Sequence, residues 1–111
     1  MKIELKSEVA GRAKEAYDKI VSILESEGCE GSGLIVYSGE DWTARGERYG
    51  EDALIVIIHE EGDDCHYFSM DACYNTGRGY DGYETMFAAL RESDLMNEQI
   101  NSWSSAVHDL Y

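Results

Sequence analysis

Apolar positions along this chain crowd most tightly between Ala53 and Ala72, read ALIVIIHEEGDDCHYFSMDA. The apolar residues from Leu54 to Ile58 are mostly β-branched and are bounded by acidic clusters, which suits a central strand better than a short helix. Gly62-Asp63 reads as the central pair of a type II′ turn, since glycine alone takes positive φ at the first of those positions without steric cost. That turn predicts a hairpin in which His59 faces His66, Ile57 faces Phe68 and Ile55 faces Met70. One face then carries Ile55, Ile57, Phe68 and Met70, with both histidines at its turn end. The other carries Leu54, Val56, Ile58, Tyr67 and Cys65, running out to Asp71.

A different period governs the flanks. Val9, Ala13, Ala16, Tyr17, Ile20, Ile23 and Leu24 recur at intervals of three and four, with charged residues between them, which predicts an amphipathic helix. Ser7 is placed to cap it, Glu8 falls in its first turn, and Gly28 suits its C′ position. Ahead of it, Lys2 to Lys6 alternates apolar and charged residues as a short extension. Leu34 to Tyr37 reads as a strand. Ser38 to Glu51 is polar and Gly-rich, and is either a long loop or a strand over Trp42 to Tyr49. Tyr74 to Gly82 reads as a loop; Asp81 and Glu84 then fit a capping box, opening a second helix marked by Tyr83, Met86, Phe87 and Leu90 as far as about Glu92. In the tail, apolar spacing alone would allow a helix, but Ser and Asn density favours one return strand from about Ile100 to His108. The expectation is a single α+β domain over residues 1–111, in the order α-β-β-β-α-β: a small antiparallel sheet of three to five strands covered by two amphipathic helices.

Charge changes the picture from fold to function. The chain has 23 acidic and 9 basic residues, a net charge of −14. Residues 1–50 hold ten acidic and seven basic, or −3, and residues 51–111 hold thirteen and two, or −11. Such a field repels phosphates and anionic membranes and attracts basic protein surfaces, which argues against direct nucleic-acid binding. No apolar run reaches membrane-spanning length, and the charged start Met1-Lys2-Ile3-Glu4 is unlike a signal peptide, so a cytoplasmic protein is expected. Three cysteines, without a CxxC pair, read as reduced thiols.

Candidate chemistry is sparse. His59 and His66, converging with Glu61 and Asp64 at the hairpin end, have the ligand types for a divalent metal but match no metal signature, and solvated polar residues are the commoner outcome. Neighbouring carboxylates would raise both histidine pKa values. Gly77-Arg78-Gly79 lacks the spacing of a phosphate loop, and Ser102, Ser104, Ser105, His108 and Asp109 hold triad letters without a nucleophile elbow. No cofactor and no catalysed reaction are expected. What stands out is acidic residues interleaved with aromatics: Glu60, Glu61, Asp63, Asp64, Asp71, Asp81 and Glu84 beside Tyr67, Tyr74, Tyr80 and Tyr83. Carboxylates spread over a surface can stand in for phosphates, with tyrosines as anchors for the partner's Arg and Lys.

In size, acidity and this acidic-aromatic interleaving, the chain resembles the small inhibitors of bacteriophages and mobile elements, anti-CRISPR and anti-restriction proteins, many of which mimic DNA. The resemblance implies a non-catalytic inhibitor, working in a bacterial host cell, that binds a basic CRISPR effector or nuclease. A second class, similar to immunity proteins that neutralise a nuclease toxin, shares the mechanism and differs in target. A third would be a small metal-binding protein or enzyme using His59 and His66. An exposed sheet edge would also allow a homodimer.

Overall fold

The computed structural model describes residues 1–47, 50, 52–59, 65–70 and 81–110. Its strands are β1 (Glu4–Leu5), β2 (Ile35–Ser38), β3 (Ile55–Ile58), β4 (Leu95–Asn101) and β5 (Ser104–Asp109). Its helices are α1 (Gly11–Ser26), α2 (Gly39–Ala44) and α3 (Asp81–Glu92), with a 3₁₀ turn at Cys65–Tyr67. The strands form one sheet in the order β1-β2-β3-β5-β4, parallel between β1 and β2 and antiparallel elsewhere, so the domain is α+β.

The β-branched run is the central strand, as its pattern predicts, but its neighbours are not the predicted ones. β2 flanks it with Val36 opposite Ile57, and β5 flanks it with Val107 opposite Ile55. With both edges of β3 paired, no ladder is left for residues 65–70, and Cys65–Tyr67 turns as a 3₁₀ helix. The expected hairpin is therefore corrected: His59 does not face His66, nor Ile57 Phe68, nor Ile55 Met70. β2 and β5 take the two edges of β3, while the helices on one side of the sheet and the Trp42 cluster on the other cover its two apolar faces. The Gly62-Asp63 turn itself lies outside the described residues.

One sheet face carries Val36, Ile55, Ile57, Val107 and Leu95 against Ala16, Ile20, Ile23 and Leu24 of α1 and Met86 and Leu90 of α3. Phe68 and Tyr67 join this core from the 3₁₀ segment. The opposite face holds a smaller cluster of Trp42, Ala53, Val56 and Ala106, with Tyr37, Ile58 and Ile100 at its margin.

α1 begins later than Ser7. Gly11 has φ +57°, a turn of the chain that keeps the residues before it off the helical path, and Ser7 is buried with its hydroxyl unbonded. Residues Glu4–Leu5, read as an extension, form an edge strand on β2. Where a loop or strand was expected after Ser38, a short helix forms instead: Ser38 Oγ accepts from Asp41 N at 3.0 Å, and Glu40 and Asp41 sit in the first turn where the dipole favours anions. The tail is a hairpin of two strands, not one. Asn101 Oδ1 accepts from Trp103 N and from Ser104 Oγ, which closes the turn. β4 escapes sequence reading because its core-facing positions include Asn97, a buried amide that breaks the apolar alternation.

Candidate interaction surface

Of the expected contact residues, Glu60, Glu61, Asp63, Asp64, Asp71, Tyr74 and Tyr80 lie outside the described residues. Asp81 and Glu84 are exposed in the first turn of α3, where two carboxylates complement the helix dipole. Tyr83 beside them is half-buried. Tyr67 is a correction. Its side chain is 7% exposed and belongs to the main core, with its hydroxyl 3.6 Å from Cys29 Sγ, so the ring is spent on packing and is not an external anchor.

Charge is distributed in one direction. Lys2 pairs with Glu30, Lys6 with Glu4, Arg12 with Glu15 and Asp109, Lys14 with Asp18, Lys19 with Glu92 and Arg45 with Glu47. Arg12 does more, since Nη2 also donates to the carbonyls of Ser93 at 2.6 Å and Asp94 at 3.0 Å and thereby ties α1 to the turn before β4. Among the described residues, Glu8, Glu25, Glu27, Glu40, Asp41, Asp52, Asp81, Glu84, Asp94 and Glu98 are exposed and take part in none of these pairs. Among the described residues, every lysine and two of the three arginines thus have a carboxylate partner, while Arg91 is exposed over the Phe87 ring, and the surplus carboxylates face solvent.

The histidines are placed by packing. His59 is 1% exposed, its Nε2 lies 3.0 Å from Ser105 Oγ, and its ring stacks on Phe68 with centroids 6.0 Å apart. Ser105 Oγ donates its one proton to the Phe68 carbonyl at 3.1 Å, so it accepts from Nε2–H, and Nδ1 is left buried without a hydrogen bond. A Ser–His contact of this length would suit an activated nucleophile, but here the hydroxyl proton is already committed and both side chains are buried. His66 instead packs on Tyr67 at 4.4 Å between centroids and against Gly82 of α3. The two rings meet different neighbours and share no ladder.

Burial lowers the His59 pKa to about 4, partly offset by the backbone of Ser104 and of His59 itself; the expected rise from nearby carboxylates is not found. Because the unfolded chain takes up this proton at higher pH than the folded one, the stability His59 permits is complete above about pH 6.5 and is lost as pH falls toward 4. The size of that loss is on the order of 3 kcal/mol. Urea midpoints of the protein and of His59→Gln, measured from pH 7 to 4.5, are expected to diverge, with the parent losing more. Protonating carboxylates relieves self-repulsion in both proteins, so parallel profiles would show that His59 has no such influence.

The aromatic cluster on the second sheet face is what sequence reasoning missed. Tyr37 and Trp42 lie 5.5 Å apart and Trp42 and Trp103 6.4 Å apart, centroid to centroid, with the Arg45 guanidinium over the first two rings. The available signal was Ser38 followed by acidic residues and then Trp42, a helix start that would have lifted Trp42 and Arg45 out of the supposed loop. Among the described residues, no helix is long and apolar enough to cross a membrane, and no three His, Cys, Asp or Glu side chains converge as metal ligands would. Comparison of the chain with protein families, with curated proteins and with solved structures finds no match to any of them.

Proposed function

We propose that this domain is a non-catalytic acidic inhibitor that binds a basic nucleic-acid-handling protein and occupies the surface its nucleic acid would use. The observation that supports the reading is the pairing of the described lysines and of Arg12 and Arg45 with carboxylates of the same chain, which still leaves a surplus of unpaired carboxylates on the outside. Each paired cation has its charge offset by an adjacent carboxylate, so the unpaired carboxylates set the sign of the field that a basic partner meets. An anti-CRISPR protein in the cytoplasm of a bacterial host is the form of inhibitor this reading favours, and the target is a CRISPR effector or nuclease with a basic groove.

The test is competition. Host proteins retained by the immobilised domain at low salt should release when double-stranded DNA is added, and retention should fall steeply between about 50 and 200 mM salt. Reversing Glu60, Glu61, Asp63 and Asp64 to lysine together should slow association with the retained protein by about an order of magnitude at low salt. Retention that ignores both DNA and salt would refute the reading.

A further inference from the structure

The aromatic cluster opens at one end of the sheet into a shallow cleft of about 190 Å³. Ile35 and Ile58, opposite each other on β2 and β3, form its floor, Tyr37 and Trp103 stand at its sides, and Arg45 and Glu47 border it. Trp103 is 36% exposed, unusual for so large a ring, because it sits on the two-residue turn between β4 and β5. Glu98, which pairs with Ala106 and so lies on the same sheet face, is exposed.

The chain itself supplies an example of what the cleft accepts. The Arg45 guanidinium carbon lies 4.7 Å from the centre of the Tyr37 ring and 5.1 Å from that of Trp42, a stacked cation on two aromatic faces. It is held loosely. Its ion pair with Glu47 is 3.9 Å long and its side chain remains 47% exposed. A planar cation, an aromatic wall and a neighbouring carboxylate are therefore already assembled, and the Trp103 ring offers a further face toward solvent.

We propose that this cleft is the docking site for an arginine side chain of a basic protein partner, which enters over Trp103 and competes with Arg45 for the Tyr37 and Trp42 faces. The proposal rests on the acidic-inhibitor reading and gives it a second contact region, whose lining residues lie outside the 60–64 and 71–84 segments. Charge complementarity selects the occupant: the surrounding molecule carries −14, so an arriving cation is attracted while an anion is repelled. Planarity selects arginine over lysine, because a guanidinium stacks on a ring face and a hydrated ammonium does so poorly.

Oligo-arginine and oligo-lysine peptides of equal length are the probes, titrated into the protein at low salt with tryptophan fluorescence and calorimetry as readouts. Oligo-arginine is expected to bind about three- to tenfold more tightly than oligo-lysine. Trp103→Ala should erase that preference. Arg45→Ala should enlarge it, by vacating the ring faces, and its effect on oligo-arginine should exceed its effect on oligo-lysine. Unfolding midpoints confirm that both variants are folded, and should Trp103→Ala fail to fold, Arg45→Ala decides alone. If both peptides bind equally, or if Arg45→Ala reduces the arginine preference, the cleft is overturned while the acidic reading survives. If neither peptide binds at low salt, the acidic reading fails with it.

Discussion

Gly39→Ala is expected to destabilise the protein by at least about 3 kcal/mol, the upper end of what overpacking ordinarily costs. Gly39 is buried where β2 passes directly into α2, and its N–H donates to the Leu54 carbonyl at 3.0 Å, continuing the β2–β3 ladder into the helix start. A Cβ added there would stand 1.7 Å from the Ala53 carbonyl oxygen and 2.7 Å from its carbon. Both are backbone atoms, so no rotamer change relieves the overlap. Either the helix start moves, which disturbs the Ser38 cap and the seat of Trp42, or the strand moves and the centre of the sheet opens. Small domains are stable by only about 5–15 kcal/mol, so the loss should appear as a fall in melting temperature of roughly 10 °C or more, read by far-UV circular dichroism. A variant that melts within two or three degrees of the parent, by roughly the same scale, would mean that Gly39 and Ala53 are not this close.

Phe68→Ala is expected to cost about 3–5 kcal/mol, the usual range for deleting a fully buried ring. Phe68 is 0% exposed, packs in the main core and stacks on His59, and it holds in place a segment that has no ladder of its own. Its carbonyl is the acceptor for Ser105 Oγ, so backbone displacement after the truncation would also loosen the hydroxyl that receives His59 Nε2–H. Two readouts follow. The urea midpoint should drop, and the acid sensitivity traced to His59 should weaken, since water admitted beside the imidazole lets its pKa rise from about 4 toward the ordinary value. Phe68→Leu, which refills most of the volume, should recover the larger part of both. A midpoint change below about 1 kcal/mol would place the ring outside the core.

Sequence patterning alone determined the elements whose signals are local. The 3.6-residue stripe from Val9 to Leu24 became α1, with its C-terminal end at the expected place, and Met86 and Leu90 turned inward on α3 as their spacing required. The run Ile55–Ile58 became the central strand for the same reason: residues apolar on both faces have no stable place at a sheet surface. The α+β class, the two covering helices and the acidic balance were all legible at this level.

Tertiary structure alone decided which strands meet. A turn signal at 62–63 nominates the nearest neighbour as a partner, but pairing is a competition among all strands, and β2 and β5 occupy both edges of β3, leaving none for residues 65–70. His59 illustrates the same limit. Its neighbours in sequence are acidic and predicted a raised pKa, while its environment is set by Ser105, 46 residues away, and by the ring of Phe68, which together keep it dry and neutral. The aromatic cleft joins Tyr37, Trp42 and Arg45 of the continuous β2–α2 stretch to Trp103 of the β4–β5 turn, and no local pattern links the two. Helical period and β-branching act between residues a few positions apart and can be read in order along the chain. Burial, strand partnership and the convergence of side chains depend on distances that exist only once the sheet has closed.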